Sequence, residues 1–289
     1  MGSLMKRQPL KSHQHGFTLL ELLTVLTVMA VFSTILVSSI MSLKGAGDIT
    51  SAGYAVSGLL EQARTYALAN NTYVWVGFFE EDGTQASQQP AITGNGGRLV
   101  ISMVASQDGT RYSDATISDT LPAAFGANDS SNLVTLVQVA KLIKINNVRL
   151  VAVNTGTMTS NNPERLAVAS AYQVGDAATT APANATGAFA LHAGSSASNP
   201  TTFNYPLAAS NATAQYIFSK IIEFNPQGEA SKIDENVFSG PGPQTAMEIA
   251  LDPTHGSVIA PAYSGTHQNM AAVAIQIEGL TGQVRVYRP

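Results

Sequence analysis

The sequence predicts an α+β fold, in which a long N-terminal helix packs on an antiparallel β-sheet or sandwich. Three observations lead there. Residues 17–43 are almost wholly apolar and carry one charge, Glu21. Residues 48–71 place apolar side chains three to five positions apart, as one face of a helix does. From residue 72 onward, short runs rich in Val, Ile, Phe and Tyr alternate with turns containing Gly, Pro and Asn.

Composition sets the outer limits. The 289 residues suffice for one large domain or two small ones. Hydrophobic residues make up 45%, enough for a buried core, while charged residues make up only 12%, about half the usual share. The formal charge is −4. Losing Lys6, Arg7 and Lys11 with an N-terminal leader would leave 12 basic residues against 19 acidic, a formal −7. Such a balance opposes non-specific nucleic-acid binding, which needs Lys and Arg to neutralise phosphates. With no cysteine, disulfides, thiolate chemistry and Cys-based metal sites are excluded.

Residues 1–16 hold Lys6, Arg7, Lys11, His13 and His15 and no acid. Positive charge stays on the cytoplasmic side of a membrane, so the apolar segment that follows should insert with its start inside. Its 27 residues exceed the roughly 20 that a spanning helix needs. An ordinary secretory signal has a shorter apolar stretch followed by a small-residue cleavage site. Here the small residue, Gly16, precedes the stretch. Glu21 needs a reason, since an ionised side chain at mid-membrane costs about 2.5–3.5 kcal/mol.

The stretch "GFTLLELLTVLTVMAVFSTI" resembles the class III signal of type IV pilins and type II secretion pseudopilins. The resemblance implies that a prepilin peptidase cuts after Gly16, that the new amino terminus, Phe17, is N-methylated, and that Glu21 is the acid of the fifth mature position. It further implies that Glu21 of one subunit pairs with the Phe17 amine of a neighbour and sets their axial offset. A buried acid without a partner is strongly unfavourable, while a paired one is tolerated.

Beyond the apolar segment, Lys44 marks the outer water boundary, and Gly45 and Gly47 predict a local break or bend, each costing a helix about 1 kcal/mol. The helix should resume as an amphipathic segment over 44–71. Tyr54, Leu59, Ala63, Tyr66 and Ala67 form its apolar stripe, Glu61 and Arg64 lie on the other side, and Asn70 and Asn71 end it. "LLEQARTYALANNTYVWVGF" resembles the H-type minor pseudopilins and related minor pilins. Trp75, the single tryptophan, reads as core or sheet face rather than as a ligand box.

Strands are predicted at 73–79, 98–105, 134–145 (ambiguous with helix), 148–153, 217–224, 246–251, 272–277 and 283–287. The last two, joined by "EGLTG", read as a hairpin. "IIEFNPQGEA" and "GLTGQVRV" resemble the closing elements of the H-type family. Residues from about 155 to 215 are rich in Ala, Thr, Ser and Asn. They predict long loops inserted into a β-rich globular region spanning 72–289, without the apolar content to hold a core of their own.

No catalytic constellation is visible. His192, His255 and His267 stand singly, with no His-x-x-x-His spacing. Neither a Gly-x-Ser-x-Gly turn nor a Walker loop occurs. Glu80, Glu81 and Asp82, beside Gly83, form a weak calcium candidate, although an acidic strand-to-strand turn is the commoner reading. No cofactor is implied. The expectation is a non-enzymatic structural subunit of a filament, held in the bacterial inner membrane before assembly with its globular part in the periplasm. Its expected partners are other pilins or pseudopilins, the prepilin peptidase, an inner-membrane assembly platform and membrane lipid. The alternative is a DNA-uptake minor pilin. Relatives of that kind hold DNA with a Gly-Arg-x-Arg tail, and here Gln283 stands in the first arginine's place, with only Arg285 and Arg288 nearby.

Overall fold

The computed structural model describes residues 19–91, 97–109, 111, 136–151, 165–166, 168, 173–174, 203–207, 213–218, 220–232, 245–254 and 273–288, with backbone alone for 33–46, 151, 173 and 232. It divides into two compact units, Met1–Lys44 and Gly45–Pro289.

Helix α1 runs from Leu19 to Asn70. Asn71 takes φ 49°, a left-handed conformation that Asn tolerates, and the Thr72 N–H returns to the Ala67 carbonyl at 3.1 Å. Of the break or bend expected at Gly45 and Gly47, no break occurs, because the helix runs through both glycines. Two glycines cost about 2 kcal/mol of helix propensity. Full burial of one large apolar side chain contributes roughly 1.5–3 kcal/mol, and Ile49 and Val56 are both buried just downstream.

The buried stripe also departs from expectation. Leu59, Ala63 and Ala67 are buried and Tyr66 partly so, but Tyr54 is 63% exposed. The seam instead runs through Ile49, Ala52, Val56, Leu59, Leu60, Ala63 and Ala67. Its three- and four-residue steps follow the helical repeat, which a five-residue step from Tyr54 does not. Glu61 and Arg64, expected on the far side, stand half-buried at the margin of this seam.

Thirteen strands follow among the described residues: β1 (Val74–Asp82), β2 (Gly97–Ser106), β3 (Leu136–Gln138), β4 (Ile143–Asn146), β5 (Val148–Val151), β6 (Gln173–Val174), β7 (Phe203–Tyr205), β8 (Tyr216–Phe218), β9 (Lys220–Phe224), β10 (Ala230–Lys232), β11 (Ala246–Pro253), β12 (Val273–Glu278) and β13 (Val284–Tyr287). The first sheet has the order β10-β9-β1-β2-β3, with β4 also on β2, and all its pairs are antiparallel. The second has the order β13-β12-β11-β5, with β6 parallel to β11. Strands β7 and β8 make a third. The C-terminal hairpin forms as expected. The segment predicted over 134–145 is two strands laid end to end along β2, and the one over 217–224 is shared between the third sheet and the first.

The α1 seam and the facing sides of the first two sheets enclose one core, which includes Val76 and Phe78 of the first sheet and Ile249 and Ile275 of the second. The other face of the first sheet carries Trp75, Phe79 and Val104 against Phe203, Tyr216 and Phe218. Strand β1 is therefore buried at every position, as a strand covered on both faces must be. Gly77 admits the third sheet, since a methyl group there would stand 2.6 Å from Phe203 Cζ. Parts of 155–215, expected as long loops with no core of their own, are buried within the globular unit. Phe203, Asn204, Arg165 and Val168 are all buried.

Candidate functional site

The sequence places the chemistry of this chain at its amino end. Gly16 and Phe17 lie outside the described residues. Glu21 lies in the first described turn of α1. Around it the helix is apolar on every side. Ten large apolar side chains between Leu19 and Phe32 are roughly half exposed or more, from Val25 at 48% to Leu19 at 84%. Half-burying ten such side chains is worth on the order of 10 kcal/mol, comparable with the net stability of a whole domain. A surface of that kind requires an apolar cover. Its hydroxyls are already satisfied within the helix: Thr24 donates to the Glu21 carbonyl at 2.9 Å and Thr27 to the Thr24 carbonyl at 2.8 Å. Such internal bonding suits a medium without water. Among the described residues no helix is long and apolar enough to cross a membrane. The expected span over 17–43 begins before the described residues, and its last part, 33–43, is described by backbone alone.

In the globular unit α1 is held at its margin as well as along its seam. Glu61 accepts the Val284 N–H of the edge strand β13 at 3.2 Å, and Asn147 donates to Asp48 at 3.0 Å. The three acids weighed as a calcium site are separated by the strand that carries them. Glu80 accepts the Leu150 N–H of the second sheet. Glu81, on the opposite face, accepts from Ser87 at 2.9 Å and pairs with Arg98 at 3.1 Å. Asp82 accepts the Thr84 N–H at 2.8 Å. The Thr84 side chain, against the opposing effect of burial, holds Asp82 below the usual carboxylate range, helped by the Thr84 N–H, Gln85 and Arg98. Among the described residues no three of His, Cys, Asp and Glu form a metal-holding group. The histidines lie outside the described residues.

Sequence reasoning missed two buried polar clusters. On the outer face of the second sheet, Arg165 grips Glu248 through two nitrogens, and neither side chain is exposed. Gln276 donates to Glu248 and to the Leu166 carbonyl. The signal was present: Glu248 stands between Met247 and Ile249, and Gln276 between Ile275 and Ile277. On the outer face of the first sheet, Trp75 Nε1 donates to Glu223 Oε2 at 2.9 Å, and Arg111 Nε donates to Glu223 Oε1 at 2.8 Å. Burial pushes the Glu223 carboxyl above the ordinary range, and Arg111 and Trp75 oppose that shift. In the C-terminal tail, Arg285 bonds Gln283, and Arg288 lies 5.3 Å from the centre of the Tyr54 ring.

Comparison with known proteins adds one finding. Residues 11–37 match the family model of the prokaryotic N-terminal methylation motif. No curated protein and no solved structure matches the chain. The match takes in Gly16, Phe17 and Glu21 together, so the chain carries the processing signal of type IV pilin-like subunits.

Proposed function

We propose that this chain is a structural subunit of a filament, a minor pseudopilin or minor pilin of a type II secretion or type IV pilus-like assembly. It is cut after Gly16, methylated on Phe17, and has no catalytic activity of its own. The observation that carries this reading is the coincidence of the methylation motif over residues 11–37 with the exposed apolar surface of α1 between Leu19 and Phe32. Before assembly, inner-membrane lipid covers that surface, with the globular unit in the periplasm. After extraction by an inner-membrane platform, neighbouring helices cover it. Support for the H-type subfamily comes from the closing elements: "IIEFNPQGEA" builds the β9–β10 hairpin, and "GLTGQVRV" supplies the last turn and β13.

Glu21 then sets register. The amine released on Phe17 is the natural partner for a carboxylate inside a helix bundle, and breaking such a buried pair costs about 3–5 kcal/mol. Glu21→Val should leave cleavage intact, since the cut lies five residues away. It should reduce entry into filaments to a small fraction of the wild-type level, scored by shearing and immunoblotting. Normal filament entry by the variant would overturn the role given to Glu21.

A further inference from the structure

We propose that Glu223, Trp75 and Arg111 form a proton-operated latch on the outer face of the first sheet, which holds Arg111 against β9 while Glu223 is ionised and lets it go when Glu223 is protonated. The antiparallel register brings the parts together. Ser231, Glu223, Trp75, Val104 and Gln138 lie side by side across β10, β9, β1, β2 and β3. Glu223 sits in that row, buried by Trp75 on one flank and β10 on the other. Both of its oxygens are engaged. Oε2 takes the indole N–H, and Oε1 takes the Arg111 Nε–H, with the Ser231 hydroxyl at 3.5 Å.

The groups facing this carboxylate from each element are few. Strand β1 offers Trp75, with the Tyr73 ring stacked on it at 6.3 Å. Strand β10 offers Ser231, and Ile221 precedes Glu223 on the same face of β9. Beyond the end of β2, Asp108 takes the Ser106 hydroxyl, and Arg111 supplies the cation. Among the described residues Arg111 is the charge that balances Glu223. Its own side chain is 37% exposed, so it reaches the acid from the water side and has somewhere to go.

Protonation changes the site asymmetrically. A neutral carboxyl can still accept the indole N–H, so Trp75 stays in place. It no longer attracts the guanidinium, which returns to solvent. Because burial raises the Glu223 pKa, the change falls above the ordinary glutamate range of about 4.3. The linkage sign separates this event from acid unfolding. A carboxyl whose folded pKa is raised binds protons more readily folded than unfolded, so its contribution to stability grows as pH falls through the folded value. The latch opens in a molecule that this group is making more stable.

Trp75 is the only tryptophan, so its emission reports on the site alone. Full-length protein in detergent micelles should show a reversible emission change with its midpoint above pH 4.3 and no change in far-ultraviolet circular dichroism. Glu223→Gln should abolish the change. At neutral pH the same variant should be cut by trypsin after Arg111 severalfold faster than wild type. Arg111→Gln should keep the transition and move its midpoint upward, because the cation that favoured the ionised form is gone. The proposal fails if the transition survives Glu223→Gln, if Arg111→Gln leaves the midpoint unmoved, or if emission changes only with global unfolding. Should Glu223→Gln not fold, the direction of the Arg111→Gln shift decides alone.

Discussion

Gly53 on α1 and Val273 on β12 approach so closely that a methyl group at Gly53 would stand 2.9 Å from Val273 Cγ1. The helix lies on the second sheet at this point, and the missing side chain sets the distance. The β-branched valine cannot swing aside at little cost.

This closeness predicts opposite outcomes for neighbouring glycines. At Gly47 and Gly58 nothing lies within 4 Å of an added methyl group. Gly58→Ala should therefore raise stability by up to about 1 kcal/mol through helix propensity. Gly53→Ala should lose that gain to the clash, and Gly53→Leu should destabilise by about 1–3 kcal/mol through overpacking. Urea denaturation of the three variants, followed by circular dichroism, measures the contrast.

The Arg165–Glu248 pair predicts a larger effect. Both side chains are fully buried, so Arg165→Met leaves an uncompensated carboxylate and should cost about 3–5 kcal/mol. Adding Glu248→Gln to it should recover part of that loss, because the charge goes while hydrogen bonding to Gln276 remains possible. A double-mutant cycle in urea gives the coupling.

Asp82 predicts a pH dependence of the opposite sign to Glu223. Its folded pKa is lowered, so its contribution is present above the unfolded value of about 3.9 and is lost as pH falls through the folded value. Little of its surface is exposed, yet it stands at the end of β1, where water screens it. Its contribution is below about 1 kcal/mol. Asp82→Asn should lower the melting temperature slightly at pH 7 and leave it unchanged near pH 2.

Much of this was legible in the residues. Helix, hairpin and strands follow from periodicity, and the motif around Gly16 is local in sequence and needs no fold to be read. What stayed hidden depended on contacts distant in sequence. Trp75 meets Glu223 across 148 residues, and Arg165 meets Glu248 across 83. Glu248 stands out as a polar residue within an apolar run, but no local pattern names the partner of either acid. Gly45 and Gly47 suggested a break that does not occur, because propensity was weighed without the seam that follows them. Tyr54 misled because its side chain suggested burial while its spacing placed it outside. Glu80 and Glu81 looked like a cluster in sequence, and the two-residue repeat of a strand sends them to opposite faces.

The central claim is that a protease removes the leader and exposes Phe17 for assembly through α1. Intact-mass and amino-terminal peptide mass spectrometry on the protein recovered from its native filament fraction tests it most directly. Processing predicts a chain that begins at Phe17 and carries a methyl group on its amine. A filament-borne chain that still begins at Met1, or that begins at an unmodified residue elsewhere, would contradict it.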